Sequence, residues 1–188
     1  VYVFLNNKLN KNNIKDNMAK IAEAGYTTIQ TSPMQPQKDY YPGNTAKDGW
    51  WKLYQPLGFS IATKDNEIGT KSDLIAMVKE ADKYGIKVIV DVVANHLATD
   101  SPTKFSSGVK NYEPTIYGKD GTRAGGALVH EGSSNGANDS SAYSVTNGNI
   151  GLTDLDTSSP HVQQRVLSLL KEYIDCGVDG FRFDAAKH

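Results

Sequence analysis

One module occurs three times along the chain: an amphipathic helix, a glycine, a hydrophobic strand and then polar residues. Apolar residues at the helical period mark each helix, and β-branched or aromatic residues mark each strand. In the first copy the predicted helix is 14–24, the glycine is Gly25 and the strand is 26–31. In the second copy they are 72–84, Gly85 and 86–93. In the third copy the helix begins at Pro160, the glycine is Gly177 and the strand is 178–183. Strands that alternate with helices form parallel sheets with right-handed crossovers, so the sequence predicts an α/β fold.

Two α/β architectures fit this pattern, an open doubly wound sheet and a (β/α) barrel. No glycine-rich phosphate-binding fingerprint follows any of the strands, which counts against a dinucleotide-binding sheet. Polar residues follow the carboxyl end of each strand, where both folds place their functional sites. Residues 1–5 are a further candidate strand before the first helix.

The last predicted strand carries a cation and a carboxylate on one face. Side chains alternate between the faces of a strand, so Arg182 and Asp184 share one face and Phe181 and Phe183 share the other. We expect the phenylalanines to pack against helices. The cation favours the ionised form of Asp184, which a carboxylate nucleophile needs. A structural ion pair at a strand end fits the same residues.

Two long insertions interrupt the modules. Residues 33–69 contain the segment Trp50-Trp51-Lys52-Leu53-Tyr54-Gln55-Pro56, whose aromatic side chains either stack on a ligand such as a sugar ring or pack on one another. Residues 97–152 are rich in Gly, Ser and Asn, and they predict a small irregular subdomain.

Oxygen ligands occur on both sides of the second insertion. Asn95 follows the strand predicted at 86–93, and Asp154 and Asp156 precede the helix that begins at Pro160. An amide oxygen, a carboxylate and backbone carbonyls suit Ca²⁺ better than zinc, which prefers His and Cys. Acidic residues before a helix also interact favourably with its N-terminal dipole, so a structural role is the alternative.

The composition excludes several classes of function. A net charge of −1 indicates neither nucleic acid nor an anionic membrane as partner, and no apolar run is long enough to span a bilayer. The single cysteine, Cys176, cannot form an internal disulfide and is expected to be buried. The 188 residues begin without a signal peptide and stop directly after the last motif, so we expect a fragment of single-domain size.

Four motifs together resemble those of the α-amylases of glycoside hydrolase family 13. The four are Asp91-Val-Val-Ala-Asn-His96, Gly180-Phe-Arg-Phe-Asp-Ala-Ala-Lys-His188, Leu152-Thr-Asp-Leu-Asp156 and the aromatic segment Trp51-Lys-Leu-Tyr54-Gln55-Pro56. Their order and spacing are similar to those of the family over residues 14–188. The resemblance implies roughly the first half of a (β/α)8 TIM barrel with an irregular B domain inserted after its third strand. The implied domains are barrel for 1–96, B domain for 97–152 and barrel again for 153–188.

The resemblance also implies roles for particular residues. Asp184 would be the nucleophile and Arg182 its ionic partner. The implied substrate-binding residues are His96, Tyr54, Trp51, Gln55, Lys187 and His188. A structural Ca²⁺ would be bound by Asn95, Asp154 and the backbone carbonyl of His188, and Asp91 would pair with Arg182.

By the same resemblance, the complete enzyme would be a secreted, monomeric α-amylase. It would cut internal α-1,4-glucosidic bonds of starch, glycogen and maltooligosaccharides with retention, without nucleic acid or membrane as partner. A transglycosylase or maltogenic relative, or a non-catalytic glucan-binding protein on the same fold, are the alternatives. No glutamate of this chain matches the family's acid/base position, so we expect residues 1–188 alone to bind glucans weakly and to hydrolyse none.

Overall fold

The computed structural model describes residues 13–38, 50–64, 66–101, 103–122, 128–130 and 141–188. The helices are α1 (Asn13–Asp16), α2 (Met18–Glu23), α3 (Lys71–Lys83), α4 (Val109–Tyr112), α5 (Pro114–Tyr117), α6 (Ala142–Asn147) and α7 (Pro160–Asp175), with a 3₁₀ helix at Trp50–Tyr54. The strands are β1 (Thr28–Thr31), β2 (Lys87–Val93), β3 (Thr99–Ser101), β4 (Lys104–Phe105) and β5 (Gly180–Asp184). The candidate strand at 1–5 lies outside the described residues.

The three predicted strands form one parallel sheet in the order β1-β2-β5. Thr28 lies opposite Lys87 at the start of the first pair, and Val93 lies opposite Asp184 at the end of the second. The α/β class with a parallel sheet is therefore confirmed. Each predicted strand begins one or two residues later than expected, because the residues after each glycine first complete the turn.

Each module helix ends where its glycine permits a left-handed turn. Gly25, Gly85 and Gly177 have φ values of 82°, 65° and 89°. Side chains with a Cβ disfavour this conformation, so the glycines fix where each helix gives way to its strand. The first predicted helix is divided into α1 and α2 at Asn17, whereas the other two are continuous.

The core lies between the sheet and the helices. Val88, Val90 and Val92 of β2 are all fully buried, as expected for the central strand of a parallel sheet. α3 contributes Leu74, Met77, Val78 and Ala81 to this core, and α7 contributes Val162, Leu169 and Tyr173. Phe181 packs against Tyr173, with ring centroids 6.2 Å apart. Phe183 is 41% exposed, so only Phe181 shows the predicted packing against a helix.

The described part of 97–152 contains a short antiparallel hairpin, β3–β4, and the three short helices α4 to α6. Two isolated β-bridges involve the residues that flank the insertion: His96 pairs with Asp154, and Val129 of the insertion pairs with Leu155. The ends of the insertion are therefore adjacent, although the domain boundaries at 97 and 152 stay a prediction. Among the described helices, none is both long and apolar enough to cross a membrane.

Candidate active site

A guanidinium joins two carboxylates at the carboxyl ends of β2 and β5. The Arg182 Nη1 atom donates to both carboxylate oxygens of Asp91, each at 2.9 Å, and to Asp184 Oδ1 at 2.9 Å. Asp91 and Arg182 are register partners in the parallel ladder, so their side chains project from the same face of the sheet. The predicted pairing of Arg182 with Asp184 and with Asp91 is present in the structure.

The 3₁₀ helix adds a tyrosine to this cluster. The Tyr54 hydroxyl donates to Asp91 Oδ2 at 2.8 Å. Burial, followed by the hydrogen bond to Asp91, raises the pKa of Tyr54 above its usual range, so the phenol is neutral. Hydrogen bonding to Asp91 likewise raises the pKa of Arg182.

Burial raises the pKa of the Asp91 carboxyl, while the hydrogen bonds from Arg182 and Tyr54 lower it. Three donated hydrogen bonds from two groups, one of them a permanent cation, keep Asp91 ionised near neutral pH.

The two carboxylates differ in access to solvent. The Asp91 side chain is 1% exposed, whereas that of Asp184 is 21% exposed. A carboxylate nucleophile must reach a carbon atom of the substrate, which a fully enclosed side chain cannot do. The geometry therefore favours Asp184 as the reactive group and Asp91 as the group that holds Arg182.

His96 is buried next to Tyr54 of the aromatic segment and is 1% exposed. Its Nε2 atom is 2.9 Å from the Tyr54 backbone oxygen, and its Nδ1 atom is buried without a hydrogen-bond partner among the described residues. Burial lowers the pKa of His96, so the ring is neutral near pH 7. Gln55 also has a buried side-chain oxygen that lacks a partner within the described chain.

The remaining predicted sugar-binding residues lie at the surface or beside the insertion. Trp51 is 44% exposed, and Lys52 Nζ lies 5.6 Å from the centroid of its ring. Lys187 is exposed. His188 is half-buried, and its Nδ1 atom is 2.9 Å from the Val145 oxygen of α6. No sugar role of these residues is tested by the structure, and each stays a prediction.

Asn95 and Asp154 face each other at the two ends of the insertion. The Leu155 amide donates to the Asn95 backbone oxygen at 2.9 Å, which brings the two side chains together. Both side-chain atoms of Asn95 and the Oδ1 atom of Asp154 are buried without a hydrogen-bond partner in the described structure. The Asn95 amide lies close enough to favour ionisation of Asp154 but does not attain hydrogen-bond geometry.

Burial raises the pKa of Asp154, and the neighbouring His130 lowers it. Buried oxygens without partners are costly unless a further group satisfies them. An amide oxygen and a carboxylate oxygen fit the donor preference of Ca²⁺, so these two residues fit the predicted ion.

The sequence analysis did not include two further residues whose side chains contact charged residues far along the chain. His130 Nδ1 is 2.6 Å from Asp154 Oδ2, and His130 Nε2 is 3.5 Å from Asp156 Oδ1. Glu113 is buried between α4 and α5 and binds Arg165 of α7. Neither residue belongs to a local pattern, and the described chain contains no cluster of three or more His, Cys, Asp or Glu side chains arranged for a metal.

The family model described as "Alpha amylase, catalytic domain" matches residues 12–188. This chain belongs to the alpha-amylase family. It is 36% identical over 180 residues to an alpha-amylase of Clostridium acetobutylicum, covering 94% of this chain and 21% of that protein. It is 34% identical over 185 residues to an alpha-amylase of Thermomonospora curvata, covering 87% of this chain and 26% of that protein. The chain thus spans about a fifth to a quarter of the length of these curated relatives.

Solved structures of amylases share the fold. Alpha-amylase I of Eisenia fetida superposes with a TM-score of 0.74 at 23% identity, covering 100% of this chain and 38% of that one. The alpha-amylase of Geobacillus thermoleovorans, complexed with acarbose, gives 0.68 at 23% identity, covering 100% and 38%. The parallel sheet described above therefore matches part of an amylase barrel, and the chain is part of an alpha-amylase-family glycoside hydrolase.

Proposed function

We propose that this chain belongs to a retaining α-amylase that hydrolyses internal α-1,4-glucosidic bonds of starch and related glucans. The observation that supports this most strongly is the carboxylate of Asp184, held at a strand end by Arg182 and open to solvent, while Asp91 is enclosed. Solved relatives were determined with acarbose and, for a mutant of the Eisenia fetida enzyme, with maltohexaose, which are both α-glucan-like ligands.

In this mechanism Asp184 attacks the anomeric carbon as the bond to the leaving oxygen breaks. A carboxylic acid protonates the leaving oxygen, and its conjugate base then activates a water that releases the sugar from Asp184. Asp91 is unsuited to be that acid, because it is enclosed and is bound on both oxygens by Arg182. We assign the acid to a carboxyl group of the whole protein outside residues 1–188.

The sugar next to the scissile bond would stack on the Tyr54 ring and would bind His96 through its hydroxyls. Trp51 and Gln55 would contact the next sugar, and Lys187 and His188 would contact the leaving-group side. The position of Tyr54 supports this arrangement, because its hydroxyl binds Asp91 in the same cluster as Asp184.

A structural Ca²⁺ would be held by Asn95 and Asp154, with the backbone carbonyl of His188 as a further ligand. The ion would join the two places where an inserted B domain, 97–152, leaves and re-enters the barrel, 1–96 and 153–188. The unpartnered oxygens of Asn95 and Asp154 support this assignment. We further propose that the whole protein acts outside the cell, because its substrates are polymers, and that it is a monomer, as the family resemblance implies.

The nucleophile is tested in the full-length protein by Asp184→Asn. We expect turnover of starch to fall by several orders of magnitude, because the covalent step is lost, while the thermal midpoint stays close to that of the wild type. The matched control is Asp175→Asn, the same change at an exposed position of α7 that binds only Lys171 among the described residues. Near-normal turnover by Asp184→Asn would reject the assignment.

Chemical rescue distinguishes a nucleophile from a residue that merely stabilises the site. In Asp184→Ala, azide should restore cleavage of an activated α-maltosyl fluoride and should yield a β-glycosyl azide, because azide then attacks from the face that Asp184 occupied. A product of unchanged α configuration would contradict a retaining mechanism through Asp184. Analysis of the wild-type products for new α-1,4 linkages separates hydrolysis from transglycosylation.

A further inference from the structure

Gln35 joins segments that lie far apart in the sequence. Its side chain is 1% exposed, and its Nε2 atom donates to the Val93 oxygen and to the Gly58 oxygen, both at 3.1 Å. Its Oε1 atom accepts from the Val93 amide at 3.0 Å. Both amide hydrogens and the amide oxygen are thus used, and only one orientation of the side chain satisfies all three contacts.

The contact with Val93 extends the sheet beyond the end of β1. The last pair between β1 and β2 is Thr31 with Val90, so β1 gives no partner to the last three residues of β2, which end at Val93. The Gln35 amide offers a donor and an acceptor to the same residue, as a neighbouring strand would. Val93 is fully buried, so loss of the Gln35 amide would take one hydrogen-bond partner from its N–H and one from its C=O.

Both contacts of Gln35 are next to the proposed catalytic groups. On its other side, Val93 is the register partner of Asp184. Gly58 follows the segment that carries Tyr54, whose hydroxyl binds Asp91. One buried amide therefore fixes the strand end beside the nucleophile relative to the loop that would stack on the substrate.

We propose that Gln35 is a positioning residue for the hydrolysis proposed above, on which this inference rests. It sets the separation between the Tyr54 loop and the carboxyl ends of β2 and β5 without touching the substrate. A displacement of about 1 Å in such a site can reduce the rate about 100-fold. A long glucan binds through many sugars, so the loss of one alignment lowers kcat and leaves KM nearly unchanged.

The test is Gln35→Met in the full-length protein, which keeps the length of the side chain and removes its hydrogen bonds. Gln37→Met is the matched control, because Gln37 lies in the same loop, is 6% exposed and uses its Oε1 atom to accept from the Glu67 amide at 3.1 Å. In the described part of the chain the Gln37 side chain forms no hydrogen bond with β2 or with Gly58. Steady-state kcat and KM are measured on maltoheptaose at a temperature well below the thermal midpoint of every variant.

We expect Gln35→Met to lower kcat by about 10-fold to 100-fold with KM changed by less than about threefold, and Gln37→Met to stay within about threefold in both. A kcat of Gln35→Met within threefold of wild type, or an equal loss in both variants, would overturn the positioning role. If Gln35→Met unfolds at the assay temperature, Gln35→Asn, which keeps an amide but is one methylene shorter, is judged by the same limits. Unfolding of both makes Gln35 a determinant of stability and also overturns the role.

The same experiment separates this inference from the proposed function. Wild-type turnover that disappears in Asp184→Asn establishes the function, and Gln35→Met then decides only the positioning role. A wild type that does not cleave the substrate overturns both.

Discussion

Arg165→Met should destabilise the protein more than Glu113→Gln, although the two residues bind each other. Arg165 donates from Nε to Glu113 Oε2 at 2.7 Å and from Nη2 to Oε1 at 3.0 Å, and the Phe59 amide donates to Oε1 at 2.7 Å. The Glu113 side chain is 2% exposed and that of Arg165 is 33% exposed. The contact connects the α4–α5 junction of the insertion to α7 and to the loop after the aromatic segment.

The difference in exposure between Glu113 and Arg165 determines how much stability each substitution removes. Removing Arg165 leaves a carboxylate enclosed with one amide donor, and breaking a buried pair in this way costs about 3–5 kcal/mol. Glu113→Gln keeps an acceptor for the Phe59 amide, and Arg165 can turn towards water, so only the charge-assisted part is lost, about 1–2 kcal/mol. The double variant should cost less than the sum, because neither charge is then left alone.

Chemical denaturation of the full-length protein and its three variants measures these values and the coupling between the two sites. Lys171→Met is the control, because Lys171 and Asp175 form an exposed ion pair on the same helix, with side chains 74% and 58% exposed. It should be nearly neutral. A loss for Glu113→Gln equal to that for Arg165→Met, or a coupling below about 0.5 kcal/mol, would refute the argument from burial.

Two further predictions concern the insertion and its turns. Titration with a chelator should lower the thermal midpoint of the full-length protein, and added Ca²⁺ should restore it. The thermal midpoint of Asn95→Ala should respond little to either. An unchanged midpoint in the wild type would contradict the calcium site. Gly121→Ala should destabilise the protein by about 2–4 kcal/mol, because the φ of Gly121 is 75° and a Cβ would lie 2.6 Å from the Tyr117 ring. Gly25→Ala should cost only about 1 kcal/mol, because Gly25 has a similar φ of 82° but open space around it. Equal losses in calorimetry would show that the clash with Tyr117 is relieved at no cost.

Features that depend on neighbouring residues could be predicted from the sequence. The helical and strand periods placed α3, β2, α7 and β5 to within about two residues, and the glycines after the helices have the expected left-handed conformation. The shared face of Arg182 and Asp184 follows from the two-residue period of a strand, and the structure contains their ion pair.

Features that depend on distant residues could not be predicted in this way. Gln35 and Val93 are 58 positions apart, and Glu113 and Arg165 are 52 apart. Glutamine and glutamate in polar loops are ordinary surface residues by composition, and their burial arises only when the chain folds back on itself. Phe183 shows the converse, because a strand pattern gives the face of a side chain but not whether another element covers that face.

The enclosed carboxylate of Asp91 determines the charge that the proposed site offers to its substrate. One guanidinium, Arg182, is shared by two carboxylates, Asp91 and Asp184, and the Tyr54 phenol is neutral, so the cluster has a net charge of +1 − 2 = −1. If Arg182 bound Asp184 alone, the pair would be neutral and would offer no net negative charge to the positive charge that develops on the sugar ring in an oxocarbenium-like transition state. Arg182 binds both oxygens of Asp91 as well as one oxygen of Asp184. Arg182 therefore orients Asp184, but its positive charge does not fully neutralise the Asp184 carboxylate. The buried pair thus makes the exposed carboxylate a better partner for a developing cation, which is what the proposed hydrolysis requires.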